Sequence, residues 1–373
     1  MSKNNRGPYY STSELAKLIG VSKNTLIRWE DEGVIPKPLR DGRGWRVWTK
    51  DTLERIIEIK KSKDLTQNLS SNVDKNRLRI YVIGYGNQGT VWAKNLRDSG
   101  CAVTVLLRDG SSSVKKVTND GFEVQSLKNV LADSNEGVFC LLIPDEQHKE
   151  FFKTYSKYIK PNFVFVFAHG FSVGYECITF NARKILLAPK AVAKVMRLNY
   201  LDDKYTPAVC SVDNLKEKNI VDSLALALKL SPLIKSSFIE ETISDLFTEQ
   251  MIICGGVPAI IVETFNMLKK KGISEQVALQ ECLYELSYML EVIKEKGIAG
   301  MYDAISPVAM AGGFKIWQEI DKGRSLIEIM ENSFNDIESK KFLSSLAGSN
   351  KKNISDKVKR LSKDFDFAVE KSL

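Results

Sequence analysis

A glycine-rich turn between a strand pattern and a helix pattern constrains the fold of this 373-residue chain more than any other feature. Residues 78–83 are largely apolar and strand-like, and a helix pattern runs from about Thr90 to Asp98. Between them stands a GxGxxG sequence, formed by Gly84, Tyr85, Gly86, Asn87, Gln88 and Gly89. In this context the glycines allow a tight turn, a close approach of backbone to a pyrophosphate, and close helix–strand packing. The sequence therefore predicts a dinucleotide-binding turn, with an accidental tight turn as the alternative.

The end of the next strand pattern indicates which dinucleotide is bound. The segment AVTVLLR ends at Arg108, and Ser111 and Ser113 follow it closely. A basic residue followed by hydroxyls suits a 2′-phosphate, because a guanidinium pairs well with phosphate oxygens. Asp109 would oppose a phosphate if it pointed inward, and Arg108 could instead be an ordinary exposed residue at a strand end. The prediction is NADP(H).

Strand patterns continue to alternate with helix patterns as far as residue 237. Further strands are expected in GVFCLLI, NFVFVFAHG and KILLAPK. This alternation predicts a doubly wound parallel sheet, that is, a Rossmann domain over residues 78–237. Beyond it, helical runs predict an all-α domain over residues 238–330 and a polar helical tail over residues 331–373.

Residues 1–60 are predicted to form a separate small helical domain, followed by a polar linker over residues 61–77. Two helices are expected there, each preceded by a serine cap: Ser13 before Glu14–Ile19, and Ser22 before Lys23–Glu32. Residues 1–64 carry 14 Lys and Arg against 9 Asp and Glu, a net charge of +5 out of +8 for the whole chain. This asymmetry points to an anionic partner for the N-terminal domain.

Two pairs of acidic residues stand out in the helical region. Asp245 and Glu249 are four residues apart, as are Glu281 and Glu285, and each pair lies in otherwise apolar sequence. Spacing of four places each pair on one helix face, where a divalent cation such as Mg²⁺ would offset the cost of burying the charges. By spacing alone, such pairs are more often solvated surface residues.

Composition narrows the class of protein. The first residues contain no apolar signal core, and no uninterrupted run of about 18 apolar residues appears, so we expect a cytoplasmic protein. The six cysteines are scattered singly, without a CxxC pair, which favours free thiols over disulfides or a zinc site.

Several blocks of sequence together resemble the ketol-acid reductoisomerase family in its short form. They are GYGNQG, VTVLLRDGSSS, LLIPDEQ, FAHGF, LLAPK, DLFTEQMIICGGV, ECLYEL and IAGMYDAIS, in the order of the family, across about 60% of the chain. The resemblance implies an α/β Rossmann domain followed by a knotted all-α C-terminal domain. It also implies a two-step reaction: Mg²⁺-dependent alkyl migration in a 2-hydroxy-2-alkyl-3-oxo acid such as acetolactate, then reduction by NADPH to a 2,3-dihydroxy acid. The pathway would be branched-chain amino acid biosynthesis or a diverged relative of it.

The resemblance also implies roles for individual residues. Asp245 would bridge two Mg²⁺ ions, and Glu249 would bind one of them and take part in proton transfer. Glu281 and Glu285 would complete the metal site from a second subunit, in an obligate dimer.

The remaining catalytic residues implied by the resemblance are His169 and Lys190, at the ends of Rossmann strands, and Ser306, which would contact the substrate carboxylate. His148 matches no functional residue of the family, and we expect it at the surface.

The chain departs from the family pattern at three places. Ala191-Val192-Ala193 replaces Gly-Pro-Gly after Lys190, Thr90 stands in place of histidine, and Pro307 follows Ser306. Two other functions stay open, and these changes favour the first of them. One is a transcription regulator that uses a degenerate reductoisomerase fold to sense NADPH or a metabolite. The other is an NADP-dependent 2-hydroxy-acid dehydrogenase that needs no metal.

The N-terminal domain resembles the MerR-type winged helix-turn-helix. The resemblance implies DNA binding, with a recognition helix in the major groove and a basic wing on phosphates. The corresponding residues are Lys23, Asn24, Thr25 and Arg28 for the helix, and Arg40, Arg43 and Arg46 for the wing. A domain that only contacts other proteins is the alternative.

Overall fold

The computed structural model describes residues 9–31, 35, 37–50, 52–54, 56–57, 79–341, 343 and 351–372. The predicted linker and Leu78 lie outside these residues.

The described residues of the N-terminal unit form two helices, a small antiparallel sheet and further helical residues at 52–54 and 56–57. Its elements are β1 (Tyr9–Ser11), α1 (Thr12–Ile19), α2 (Lys23–Asp31), β2 (Leu39–Arg40) and β3 (Arg46–Thr49), with strand order β1-β3-β2. The cap of α1 is Ser11 rather than Ser13, because Ser11 and Glu14 form a reciprocal capping box two residues earlier than expected. Gly20 ends α1 in the left-handed region, and the Ser22 hydroxyl accepts from the Thr25 amide at the start of α2, as predicted.

Apolar residues of α1 and α2 form the core of this unit. Leu15, Ala16, Ile19 and Leu26 are buried, whereas Val21 and Ile27 are only half-buried. The rest of the core comes from outside the two helices or from the end of α2: Trp29, Ile35, Trp48 and Ile56.

An eight-stranded sheet forms the centre of the second unit. Its strands are β4 (Ile80–Ile83), β5 (Val103–Leu107), β6 (Val124–Ser126), β7 (Gly137–Leu141), β8 (Phe163–Phe167), β9 (Arg183–Pro189), β10 (Thr206–Ser211) and β11 (Leu230–Lys235), in the order β11-β10-β9-β8-β7-β4-β5-β6. Strands β4 to β9 are parallel, as predicted, but β10 pairs antiparallel with β9 and parallel with β11. The sheet is therefore mixed, and the expectation of a wholly parallel sheet was wrong at this edge.

Helices cover both faces of the sheet. They are α3 (Asn87–Asp98), α4 (Val114–Asn119), α5 (Leu127–Asp133), α6 (His148–Tyr155), α7 (Phe171–Gly174), α8 (Ala193–Leu201) and α9 (Leu215–Leu228), with 3-10 turns at Asp145–Gln147 and Ser156–Tyr158. Strand β8 shows the two-residue period that separates the faces. Val164 and Val166 pack on the side of α3, α8 and α9, and Phe163, Phe165 and Phe167 pack on the side of α5 and α6.

The C-terminal third is helical, with two π-helical segments. It contains α10 (Phe238–Thr248), a π-helix (Glu249–Ile253), α11 (Gly256–Lys270), α12 (Glu275–Leu279), a second π-helix (Gln280–Glu285), α13 (Leu286–Ala304), α14 (Pro307–Gly323), α15 (Ser325–Glu338), α16 (Lys351–Leu361) and α17 (Lys363–Ser372). The tail helix α17 packs on α11 and α12, where Phe365 meets Phe265 with ring centroids 5.3 Å apart.

Much of the apolar surface of these helices is exposed in the single chain. Val308, Ile316 and Trp317 of α14 are 83%, 60% and 52% exposed. By length and composition, the helical run Phe238–Lys270 could also cross a membrane. Only 6% of the apolar 18-residue stretch within it is buried. Carboxylates interrupt the first turns of this run, so it contains no unbroken apolar stretch of that length.

Candidate functional site

The glycine turn has the geometry that a dinucleotide requires. Gly84 has φ +92°, and a Cβ on it would lie 2.7 Å from the Ile143 side chain. A Cβ on Gly89 would lie 2.3 Å from the Gly84 carbonyl oxygen, so α3 packs against β4 only because this residue is glycine. Gly86, in contrast, faces open space: a Cβ there would meet no described atom within 4 Å. The turn leaves room at Gly86 for a phosphate group beside the N-terminus of α3.

The side chains of the turn differ in what they can contact. Tyr85 is buried and its hydroxyl donates to Asp120 at 2.9 Å, so this tyrosine supports the turn from beneath and can offer a cofactor only its backbone. Asn87 is exposed at the start of α3. Gln88 donates to the Ala191 carbonyl at 3.4 Å, while its own Oε1 is buried and has no hydrogen-bond partner among the described residues. The turn is thus joined directly to the loop after Lys190.

The end of β5 is open to solvent at Arg108, and the neighbouring Asp109 carboxylate is held by another residue. The Ser126 hydroxyl donates to Asp109 Oδ1 at 3.1 Å, which holds the carboxylate against the neighbouring strand β6. Arg108 is exposed, and Ser111 and Ser113 are half-buried in the turn before α4.

A second group of side chains gathers at the carboxyl ends of three adjacent strands. Asp145 follows β7, His169 follows β8 and Lys190 follows β9, so parallel pairing brings all three to one edge of the sheet. Helix α10 adds Glu241 and Asp245 to the same place. We call these five residues the strand-end cluster.

Lys190 is the positive centre of the strand-end cluster. Its Nζ lies 2.7 Å from Glu241 Oε1 and 2.7 Å from Asp245 Oδ1. Burial acts to lower the pKa of Lys190, but the hydrogen bonds to Asp245 and Glu241 outweigh it and raise the pKa. The ammonium is therefore charged and offsets two carboxylates.

Glu241 was missed by the sequence analysis, although it is the most buried member of the strand-end cluster. Its side chain is 1% exposed, and its Oε2 accepts from the Gly170 amide at 2.6 Å. Gly170 permits this approach, because a Cβ there would lie 2.4 Å from the Phe238 carbonyl oxygen. The signal was present: Glu241 precedes Asp245 by four residues and so shares its helix face.

His169 connects Asp145 to the carboxylates of α10. Its Nδ1 lies 3.1 Å from Asp145 Oδ2, and its Nε2 lies 3.4 Å from Asp245 Oδ2 and 3.9 Å from Glu241 Oε2. Burial lowers the pKa of His169, but the hydrogen bond to Asp145 and the charges of Glu241 and Asp245 outweigh it and raise the pKa. Ligand atoms of His169, Glu241 and Asp245 all lie within 4.8 Å of one another, close enough to hold one metal ion.

The expectation that His148 lies at the surface was wrong. The residue is 3% exposed; its Nδ1 is 2.8 Å from the Ser172 hydroxyl and its Nε2 is 3.2 Å from the Ile143 carbonyl. It begins α6, and its ring faces the sheet, where it packs edge-on against Phe167.

Glu249 begins the first π-helix, one turn after Asp245. Burial, followed by the charge of Asp245, raises the pKa of Glu249. A carboxyl group whose proton affinity is raised in this way can hold a proton at a pH where an exposed glutamate would not. π-Helical turns are often found at functional sites, since the wider turn redirects side chains.

Glu281 and Glu285 do not reach the strand-end cluster within one chain. Both lie in the second π-helix rather than on an α-helix as predicted, and both are exposed. Neither belongs to a group of potential metal ligands among the described residues. Ser306 is also apart: its hydroxyl caps α14 by accepting from the Ala309 amide at 3.2 Å, and Pro307 occupies the first turn of that helix, where proline is well tolerated.

In the N-terminal unit, the basic residues are not all equally available. Lys23, Asn24 and Arg28 are exposed on α2, and Thr25 is half-buried there. Arg46 contacts Glu30 at 2.5 Å in a half-buried ion pair, so it supports the fold rather than facing outward. Arg43 pairs with Asp41 at 3.2 Å and lies over Trp45, and Arg40 donates to the Gly44 carbonyl.

The donor set fits both cofactors expected from the sequence. The open face of Gly86 and the unsatisfied Gln88 Oε1 suit a dinucleotide at the turn, and the oxygen-rich strand-end cluster suits a hard divalent cation. Lys190 contacts both carboxylates of α10, and Asp245, at 26% exposed against 1% for Glu241, is the more accessible of the two to such a cation.

Three protein families match successive parts of the chain. Residues 75–231 match "Acetohydroxy acid isomeroreductase, NADPH-binding domain", and residues 238–368 match "Ketol-acid reductoisomerase, C-terminal domain". Residues 10–71 match "MerR HTH family regulatory protein".

Individual relatives give the same result. The "Ketol-acid reductoisomerase (NADP(+))" of Helicobacter acinonychis (strain Sheeba) is 36% identical over 247 residues, which cover 64% of this chain and 74% of the relative. The enzyme of the same name from Helicobacter pylori (strain HPAG1) is also 36% identical, with the same coverage. A solved "NADH-preferring ketol-acid reductoisomerase from an uncultured archean" superposes with a TM-score of 0.69 at 24% identity, covering 81% of this chain and 96% of that one. The last match concerns the fold alone.

Proposed function

Because the chain belongs to the ketol-acid reductoisomerase family, with a MerR-type helix-turn-helix unit before the enzyme domains, we propose that it is an active NADP-dependent ketol-acid reductoisomerase. The observation that supports activity best is the strand-end cluster, in which Lys190, His169 and two carboxylates of α10 converge beside the glycine turn. The hydrogen bond from Gln88 to Ala191 joins the two halves of the site despite the altered Ala191-Val192-Ala193 loop. A relic that no longer catalyses would not need this set.

The residues divide the work as follows. Asp245 and Glu249 would hold divalent metal, with Glu281 and Glu285 of a second subunit completing a two-ion site. Bound Mg²⁺ would act as a Lewis acid on the oxygens of an acetolactate-like substrate during alkyl migration, and NADPH would supply the hydride. Lys190 balances the negative charge of Glu241 and Asp245. Glu249 would also take part in proton transfer at its carboxyl oxygen, as the resemblance to the family implies. Ser306 would bind the substrate carboxylate.

The first test follows NADPH oxidation with 2-acetolactate, with and without Mg²⁺. We expect turnover that depends on the metal and is lost in Asp245→Asn, while the exposed Glu263→Gln on α11 retains it. Turnover that survives without metal would favour a plain dehydrogenase. No turnover with this or a longer 2-hydroxy-2-alkyl-3-oxo acid would contradict the proposal.

The exposure of Glu281, Glu285 and the apolar face of α14 supports a dimer whose active sites are shared between subunits. Asp245→Asn and Glu281→Gln should each be inactive alone. Mixed by co-expression, they should recover about a quarter of the wild-type activity, because half of the dimers are mixed and each has one intact site. A site formed within one chain predicts no recovery.

We propose a second function for the N-terminal unit, favoured by its family match and its charge. Its β2–β3 hairpin would be the wing, and Lys23 and Arg28 on α2 would contact DNA. Fluorescence anisotropy with a labelled duplex should show salt-dependent binding that Arg28→Ala weakens and Lys128→Ala, on the Rossmann domain, does not. Equal effects of the two variants would contradict this role. A regulator without enzyme activity would bind DNA and fail the turnover assay.

The remaining features follow from the same proposal. The domains would be residues 1–60, 78–237 and 238–330, with the tail at 331–373 and the C-terminal domain knotted. A place in the cytoplasm and in branched-chain amino acid biosynthesis accords with the cofactor and with the acetolactate-like substrate.

A further inference from the structure

The chain contains two histidines, and both approach the same carboxylate. Asp145, in the 3-10 turn after β7, lies with Oδ2 at 3.1 Å from His169 Nδ1 and with Oδ1 at 3.5 Å from His148 Nδ1. One carboxylate thus lies between a buried imidazole and the imidazole of the strand-end cluster. Which ring donates to it follows from the hydrogen bonds of His148.

In its neutral form, His148 donates to Asp145 through neither nitrogen. Its Nε2 lies 3.2 Å from the Ile143 carbonyl, which only accepts, so Nε2 carries the proton. In a neutral ring Nδ1 is then an acceptor, and it takes the proton of the Ser172 hydroxyl at 2.8 Å. Burial lowers the pKa of His148, in agreement with a neutral ring.

His169 is therefore the imidazole that donates to Asp145. Because a carboxylate only accepts, the 3.1 Å contact requires the proton on Nδ1 of His169. Its Nε2 is buried, has no hydrogen-bond partner among the described residues, and lies 3.4 Å from Asp245 Oδ2. The ring nitrogen that faces the carboxylates of α10 is thus Nε2, while Asp145 holds the proton on the other nitrogen, Nδ1.

We propose that Asp145 is a positioning residue for His169: it fixes the ring orientation and holds the proton on Nδ1, so that Nε2 is the ring nitrogen that faces the reaction site. His148, locked between Ser172 and Ile143, keeps its own protons away from Asp145 and leaves that carboxylate to His169. The inference deepens the proposed function and rests on it for its catalytic meaning. The hydrogen-bond arrangement itself can be tested without any turnover.

The test uses the small number of histidines. In full-length protein labelled with ¹⁵N at histidine, two imidazoles give signals, and His148→Asn assigns them. Ring ¹⁵N shifts distinguish a protonated nitrogen from one with a free lone pair. With His169 neutral at alkaline pH, we expect the proton on Nδ1 in the wild type. Asp145→Asn should shift the population toward the Nε2–H tautomer, while Glu146→Gln, in the same turn, should not. His148 should keep its Nε2–H signal in both variants, which also shows that they are folded.

Kinetics then separates positioning from binding. Asp145→Asn should lower kcat on the order of 10-fold to 100-fold, the usual effect of removing a carboxylate behind a functional histidine, with little change in KM. Asp145→Glu should restore part of it. A wild-type His169 with its proton on Nε2, or an unchanged tautomer in Asp145→Asn, would overturn the assignment even in an active enzyme. Normal tautomers in a protein without turnover would instead refute the proposed function alone.

Discussion

Replacement of Glu241 by glutamine should destabilise the protein more than any exposed acid on the same helix. The side chain is 1% exposed and accepts two hydrogen bonds, from the Lys190 ammonium at 2.7 Å and from the Gly170 amide at 2.6 Å. A glutamine has one carbonyl oxygen and can satisfy only one of these donors. Its amide group would face the other, so a buried donor would be left without an acceptor.

The size of the loss in stability for Glu241→Gln depends on the contacts that Lys190 keeps. Breaking a fully buried ion pair costs about 3–5 kcal/mol. Lys190 is 30% exposed and keeps Asp245 at 2.7 Å, so the loss should be smaller. A hydrogen bond to a charged group contributes roughly 1.5–3 kcal/mol, which gives about 2 kcal/mol for Glu241→Gln. In a domain of this size that corresponds to a fall of roughly 4–8 °C in Tm.

The assay is thermal unfolding without added Mg²⁺, with Glu240→Gln as the matched control. Glu240 is the neighbouring residue on α10, exposed, and bonded to the Ser236 hydroxyl at 2.6 Å. Its replacement should change the free energy of unfolding by no more than about 0.5 kcal/mol. A Tm fall for Glu241→Gln no larger than for the control would mean that repulsion among the clustered carboxylates outweighs their bonds to Lys190, and the reasoning would fail.

Three further outcomes are expected. Gly86→Ala should fold normally but bind NADPH more weakly, as measured by cofactor fluorescence. Gly89→Ala should be unstable, because its Cβ would lie 2.3 Å from the Gly84 carbonyl oxygen. Equal stability of the two variants would contradict this. The two histidines should change the free energy of unfolding with pH in opposite senses. The lowered pKa of His148 gives a stabilising contribution that is present above the ordinary value of 6.5 and is lost as the pH falls through the folded pKa. The raised pKa of His169 gives a stabilising contribution that is present below 6.5 and is lost as the pH rises through the folded pKa. Unfolding of His148→Asn and His169→Asn against pH, each compared with wild type, measures both signs. Arg46→Ala should destabilise the N-terminal unit, because it leaves half-buried Glu30 unpaired, and Arg43→Ala at the exposed hairpin tip should not; circular dichroism of the melting transition distinguishes them.

Local patterns in the sequence were sufficient for the elements near the glycine turn. The strand, the GxGxxG and the helix lie within 20 residues, and hydrogen bonding there is local, so β4 and α3 could be predicted with an error of a few residues. The antiparallel strand β10 could not, because its direction depends on a long-range pairing with β9. The same limit applied to His148, whose burial is decided by the sheet beneath α6 and not by its neighbours in sequence.

Prediction of the site was limited in a similar way. Asp245 was found by its spacing from Glu249, and Lys190 and His169 by resemblance. Glu241 and Asp145 were missed, although each could have been located: one by its helix face, the other by its place after β7 beside the strands that carry His169 and Lys190. Only the resemblance to the family implied that Glu281 and Glu285 lie apart from these residues in one chain. Spacing along one chain gives no information about a second subunit.

The glycines around α7 have a mechanical consequence. Gly170 and Gly174 bring the main chain after β8 so near to Phe238 that a single added carbon would collide with its carbonyl oxygen. The first turn of α10 is therefore packed directly against the main chain of α7, next to the end of β8. If the helical region swings to admit a substrate, the bending point must come after Asp245, where the regular α-helix gives way at Glu249. The five residues of the strand-end cluster all precede Glu249, so they would keep their arrangement as each substrate molecule enters.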